Sequence, residues 1–200
     1  MNVKLKRSID FSAGIVYNDV YMINMFNVLL HMTTVSSNSR EQNVAYDRIK
    51  YWVGEVMQDS VVIVNESKLV NAYRATGQRV LVLPEPPVDQ VLGMLLYSKL
   101  NAICEGKIVV TDVEIASIHG DGVVFLHGQD EILPIFHQPG WWQSIGPNWE
   151  EPSKGKRKTE KIISLGRMPE WTDLDLDWVA HDEEIEGSVV FVDFQRNDKE

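Results

Sequence analysis

The chain has 200 residues, 44% of them hydrophobic and 24% charged, which is enough for one soluble domain with a sizeable core plus an extension. Its net charge of −10 repels phosphate backbones and weighs against general nucleic-acid binding. A single cysteine, Cys104, excludes an internal disulfide and fits a reducing, cytoplasmic setting. The apolar runs are too short to span a bilayer, and the first residues lack the apolar stretch of a signal peptide.

Residues 3–17 read as extended, with Asn18-Asp19 as a turn signal. Val20–Val35 then forms a long strand. Phe26, Val28, Leu30 and Met32 fall on one face, and Asn27, His31 and Thr33 on the other. One apolar and one mixed face are expected where helices cover a single side. Ser39 and Gln42 have the spacing of a capping box. Val44, Ala45, Ile49, Trp52, Val53 and Val56 then recur at helical spacing, predicting a helix over about 40–57. Ser60–Val64 is a short strand candidate, and 65–83 reads as a long polar connection with one apolar patch at Val80–Leu83.

Pro84, Pro86 and Pro87 prepare a second helix, whose stripe is Val91, Leu92, Leu95, Leu96, Leu100 and Ile103, and Gly106 ends it. Lys107–Ile118 alternates as a strand, His119–Gly122 is a tight turn, and Val123–His127 returns. The predicted fold is therefore α+β: an antiparallel four-stranded sheet in the order ββααββ, backed by two helices. Residues 1–127 are expected to form the core domain, and 128–200 a Trp-rich, acidic C-terminal extension. Within that extension Lys154-Gly155-Lys156-Arg157-Lys158 is a basic cluster, residues 168–187 hold eight Asp or Glu, and Ser188–Phe194 reads as a final strand. Trp141, Trp142, Trp149, Trp171 and Trp178 predict an ordered extension that packs on its own domain or, as the favoured alternative, forms a subunit contact.

Glu114 is the sharpest candidate for chemistry. A carboxylate can accept two parallel N–H bonds from the edge of a pterin- or purine-like ring. Asp112 and Glu114 share a strand face, expected to include Val110 and Ala116. The alternatives for Glu114 are a solvated strand face and an intersubunit salt bridge. His31, His119, His127, His137 and His181 show no metal-binding spacing among themselves, so no metal and no cofactor is expected. His119 and His127 flank one hairpin and read as surface histidines. Cys104 lies beside the second helix's apolar stripe and reads as buried and inert.

Three fragments carry a resemblance. Phe11-Ser12-Ala13 resembles the opening of the first strand in the 6-pyruvoyl- and 6-carboxy-tetrahydropterin synthases. Pro86-Pro87-Val88-Asp89-Gln90-Val91 resembles the start of their second helix, and Val110-Thr111-Asp112-Val113-Glu114 the strand ending in a pterin-anchoring glutamate. These are tunnelling-fold (T-fold) proteins, so the resemblance implies side-by-side subunits, a homo-oligomer and a ligand held between subunits. The family's three zinc histidines would fall near Gly14 and within Ile23-Asn24-Met25-Phe26, where no histidine stands. Its catalytic cysteine is absent, and its Asp-His pair would fall near Asn65-Glu66. A general look similar to tailed-phage proteins rests on no motif. The expectation is an oligomeric binding or assembly protein without zinc-dependent synthase chemistry, with Glu114 and Asp112 at its ligand site. The alternatives are a metal-independent enzyme of pterin or deazapurine metabolism and a phage-type accessory protein with no small ligand.

Overall fold

A computed structural model describes residues 3–129, 133–150 and 169–179. It shows an α+β fold built on one six-stranded mixed sheet. In chain order the elements are β1 (Lys4–Tyr17), β2 (Val20–Thr34), α1 (Ser39–Tyr51) running into a π-helical turn (Trp52–Met57), β3 (Ser60–Val64), α2 (Val70–Ala75), β4 (Val80–Leu83), α3 (Asp89–Cys104), β5 (Ile108–Ser117) and β6 (Phe125–Gly128). The strand order across the sheet is β4-β3-β1-β2-β5-β6.

The first hairpin follows from its turn. Asn18 and Asp19 both take positive φ (49° and 59°), the two-residue geometry that matches strand twist. Phe11 is thereby set opposite Phe26, their rings stacked at 5.0 Å between centroids. β5 and β6 extend this hairpin antiparallel, giving the four-stranded unit that the sequence predicts.

That unit is not the whole sheet. β3 pairs parallel with β1, and β4 parallel with β3. Within β3, Val61–Val64 is an apolar run with neither face exposed. Val62 faces the main core, while Val61 and Ile63 face a second cluster with Val16, Val70 and Val80. Such a two-sided strand suits an inner, parallel position. The expected polar connection over 65–83 is a third helix, α2, and the parallel strand β4. Among the described residues, the predicted antiparallel four-stranded sheet with two helices is therefore corrected to a mixed six-stranded sheet with three α-helices.

The main core lies on one face of the sheet, under α1, the π-helical turn and α3. Leu92, Leu95, Leu96, Leu100 and Ile103 are all fully buried there, each contributing about 1.5–3 kcal/mol of apolar burial. Gly93 lets α3 approach the sheet, since a Cβ at that position would lie 2.3 Å from the His127 ring. The N-cap of α1 is Asn38, one residue before the predicted box; its Oδ1 accepts from the Arg40 N–H at 2.9 Å. Trp141, Trp142 and Trp171 belong to the same core cluster, so these parts of the Trp-rich extension pack on their own chain. His181, Lys154–Lys158 and Ser188–Phe194 lie outside the described residues.

Candidate functional site

Glu114 and Asp112 both stand on the sheet face turned away from α1 and α3. Register places Glu114 opposite Leu29 of β2, and Asp112 opposite His31. A bulge follows: Val110 pairs with Met32, and the intervening Thr111 has no partner of its own in the ladder. The bulge turns Val110 into the core, where it is fully buried, so Val110 does not share the carboxylates' face as a simple alternation predicts. His31 reaches diagonally from β2 to Glu114, its Nε2 lying 2.5 Å from Oε1. Their side chains are 22% and 34% exposed. Lys6 of β1 lies opposite His31 on the other side, so one row across three strands reads Lys6, His31, Asp112.

Beside a polar strip of Ser8, Asp10 and Asn27, this face carries an apolar patch left exposed among the described residues. Ile23 (66% exposed), Met25 (54%), Ile118 (66%) and Leu126 (54%) lie open on β2, β5's end and β6. A shallow groove of about 300 Å³ runs between Asp10, Asn27 and Ile118. Among the described residues, α2 roofs the β3–β4 end of this face.

The positions that the resemblance equates with zinc ligands do meet on this open face. Gly14 pairs with Ile23, and Met25 stands two residues further along β2. None is an imidazole, thiolate or carboxylate, which zinc requires. The Tyr21 ring also lies over Gly14, at 2.3 Å from where a Cβ would be, and stacks on Tyr73 at 5.9 Å. These residues do not fit zinc. Among the described residues no group of three His, Cys, Asp or Glu is placed to hold a metal ion.

Two buried cations hold the described parts of the extension. Lys99, fully buried on α3, donates to the carbonyls of Trp141 (3.0 Å), Ser144 (2.9 Å) and Gly146 (2.8 Å). Burial pulls its pKa down to about 7. Arg48, on α1, donates to the carbonyls of Leu176 (2.8 Å) and Ile103 (3.0 Å) and to Glu105 Oε1 (2.8 Å). Its guanidinium lies between the rings of Trp171 and Trp178, 4.6 and 3.8 Å from their centroids. Burial lowers its pKa, and the Glu105 carboxylate works against that shift. Both cations carried a sequence signal: each occupies a core position of a helical stripe, Lys99 between Leu96 and Ile103, and Arg48 between Ala45 and Trp52.

Cys104 is fully buried, which raises its pKa to about 12, far from a nucleophile's range. His127 is buried on the helix side and stacked on Phe125 at 6.4 Å, not exposed at the hairpin. His119 is exposed and bonds the Ile23 carbonyl at 3.1 Å. No helix among the described residues is long and apolar enough to cross a membrane.

No family model matches the sequence, and no curated protein matches it. Solved structures give likenesses of outline. One is an uncharacterized protein from Wolinella succinogenes, at 11% identity, covering 64% of this chain and 99% of that one, with a TM-score of 0.48. A catalytic-residue mutant of Plasmodium vivax 6-pyruvoyltetrahydropterin synthase is 10% identical over 64% of this chain and 98% of its own, with a TM-score of 0.42. The Plasmodium falciparum 6-pyruvoyl tetrahydropterin synthase is 11% identical over 64% and 97%, with a TM-score of 0.39. At TM-scores below 0.5 these likenesses carry no functional weight.

Proposed function

We propose that this chain is an oligomeric binding and assembly protein, without zinc-dependent synthase chemistry, that associates through the open face of its sheet. The observation that carries this reading is the exposed apolar surface of Ile23, Met25, Ile118 and Leu126, on the sheet face opposite the one that carries the main core. Exposed apolar patches of this kind on a soluble protein mark contact surfaces. The edge strands β4 and β6 are only four residues long each, so face packing offers more apolar area than edge pairing. A pterin- or purine-like ligand would sit at this surface, against Glu114 with Asp112 beside it. Such an edge needs both Glu114 oxygens, so His31 would turn away as the ligand enters.

The test is light scattering on the wild type and on Met25→Lys combined with Ile118→Lys. Both positions are exposed, so the monomer fold is retained. The wild type is expected to be an oligomer and the double variant a monomer. A wild type that stays monomeric at about 100 μM overturns the reading, since specific self-association is usually tighter than that.

A second reading rests on the Glu114–His31 pair itself. A carboxylate hydrogen-bonded to an imidazole is the arrangement that general acid–base catalysis uses. It supports a metal-independent enzyme of pterin or deazapurine metabolism. If Glu114→Ala changes neither binding nor turnover of pterin and purine compounds, both ligand readings fail and the accessory-protein alternative stands.

A further inference from the structure

A second concavity lies at the far end of the sheet from Glu114, where the parallel strands β3 and β4 end at Asn65 and Pro84. It holds about 570 Å³, within the range of small-molecule sites, and the carboxyl ends of parallel strands are a frequent place for them. Three indoles from the extension wall it: Trp141, Trp142 and Trp149. Its polar groups are Asn65, Arg74 of α2, and Glu150.

The walls are fixed without a ligand. Trp141 donates its indole N–H to the Val82 carbonyl at 2.9 Å. Lys99 clamps the carbonyls of Trp141, Ser144 and Gly146 from below. Arg79 is tied to the carbonyls of Val56 and Gln58, and its guanidinium lies 5.5 Å from the Trp149 ring. A preorganised site loses less ordering entropy on binding.

We propose that this cleft binds an uncharged, polyhydroxylated ring compound, of the class of a mono- or disaccharide. Charge argues first. Arg74 and Glu150 lie 3.8 Å apart and cancel one another, and the chain's net charge is −10, so an anionic ligand gains little. Hydrogen bonding argues next. Asn65 offers donor and acceptor, Arg74 donors, and Glu150 acceptors, which matches hydroxyls that do both. Geometry argues last. Trp141 and Trp142 are almost wholly buried, while Trp149 is half-buried and leaves ring surface at the cleft. The C–H face of a puckered ring can lie on that indole while its hydroxyls reach Asn65, Arg74 and Glu150.

The test follows tryptophan fluorescence and binding heat of the full chain. The probes are glucose, galactose, mannose, N-acetylglucosamine, maltose, cellobiose and chitobiose, with adenosine monophosphate as a flat anionic counter-probe. At least one sugar is expected to bind saturably at millimolar or tighter concentration. Asn65→Ala, at an exposed position, and Trp149→Ala, at a half-buried one, each weaken it about tenfold or more. Lys99→Met touches no ligand atom and weakens it by releasing the wall, while Val35→Lys, at an exposed position between β2 and α1, leaves it unchanged. The proposal is overturned if no sugar binds below about 10 mM. It is equally overturned if Asn65→Ala and Trp149→Ala bind like the wild type, or if adenosine monophosphate binds where the sugars do not.

Discussion

The Glu114 carboxylate meets the His31 imidazole at 2.5 Å, although 83 positions separate them in the chain. The pair is partly exposed, so its contribution to folding is small, about 0–1 kcal/mol. Its importance lies in where it stands: at one end of an open apolar face, between Leu29 and the Lys6–His31–Asp112 row. His31→Ala and Glu114→Gln are therefore expected to change urea-denaturation stability by less than about 1 kcal/mol. The same variants are expected to shift the association midpoint in sedimentation velocity. A stability loss of several kcal/mol with unchanged association would mean that the pair is a folding element and not part of a contact surface.

Lys99 gives the pH prediction. Its pKa falls from 10.5 to about 7 on burial. The folded-state value is below the unfolded one, so the unfolded chain binds more protons between about pH 7 and 10.5. Stability contributed by this group therefore rises as pH climbs through that window and is flat below it. Cys104 acts oppositely, but only above its ordinary value near 9, because its folded pKa is raised to about 12. Between pH 7 and 9 the wild type is thus expected to gain about 1–3 kcal/mol relative to Lys99→Met, which lacks the titrating amine. Parallel melting curves across that range check it. Equal pH slopes in the two proteins would refute the shifted amine.

Arg48 holds the stretch around Trp171–Trp178 to α1. Lysine in its place keeps the charge but cannot fork to the carbonyls of Leu176 and Ile103 and to Glu105 at once, nor lie flat between two indoles. Arg48→Lys is expected to cost about 2–4 kcal/mol, because buried acceptors lose their donors. Hydrogen exchange should rise first at 171–176, where Leu176 N–H bonds the Trp171 carbonyl at 2.9 Å. Protection unchanged over those residues would show that the apolar contacts of Trp171 hold the segment without the cation.

Local chemistry explains which parts of the fold could be read from sequence. The Asn18-Asp19 turn fixes the first hairpin within a few residues, and the leucine stripe of α3 repeats often enough to declare its period. α2 spans six residues and β4 four, too short for either period to emerge, and both are held by contacts with the distant Val16 and Val61. The bulge at Thr111 is equally invisible, because alternation along β5 alone cannot reveal a register shift against β2. Glu114 was readable as a charge on a mixed face. His31 was readable only as a residue of that face, since their meeting depends on the pairing of strands far apart in sequence. Trp141, Trp142 and Trp171 announced apolar packing within the described parts of the extension. Their destination was hidden because Lys99 and Arg48, the residues that receive it, look in sequence like interruptions of apolar stripes.

Gly93 tests how closely α3 must lie on the sheet. A Cβ there would meet His127 Cδ2 at 2.3 Å and Ile115 Cγ2 at 2.9 Å. Alanine is favoured over glycine in a helix by about 1 kcal/mol, so an unhindered site would be stabilised by the exchange. Here both neighbours are buried, His127 at 2% exposure and Ile115 at 0%, and neither has open space to move into. Overpacking of this kind costs about 1–3 kcal/mol and outweighs the propensity gain. Gly93→Ala is expected to be destabilised by about 1 kcal/mol or more in urea unfolding, with altered stacking of His127 on Phe125. The double change Gly93→Ala with His127→Ala removes the imidazole that the new methyl would strike. It should therefore lose less than the sum of the two single variants. Additive losses would place the strain of Gly93→Ala elsewhere than at His127.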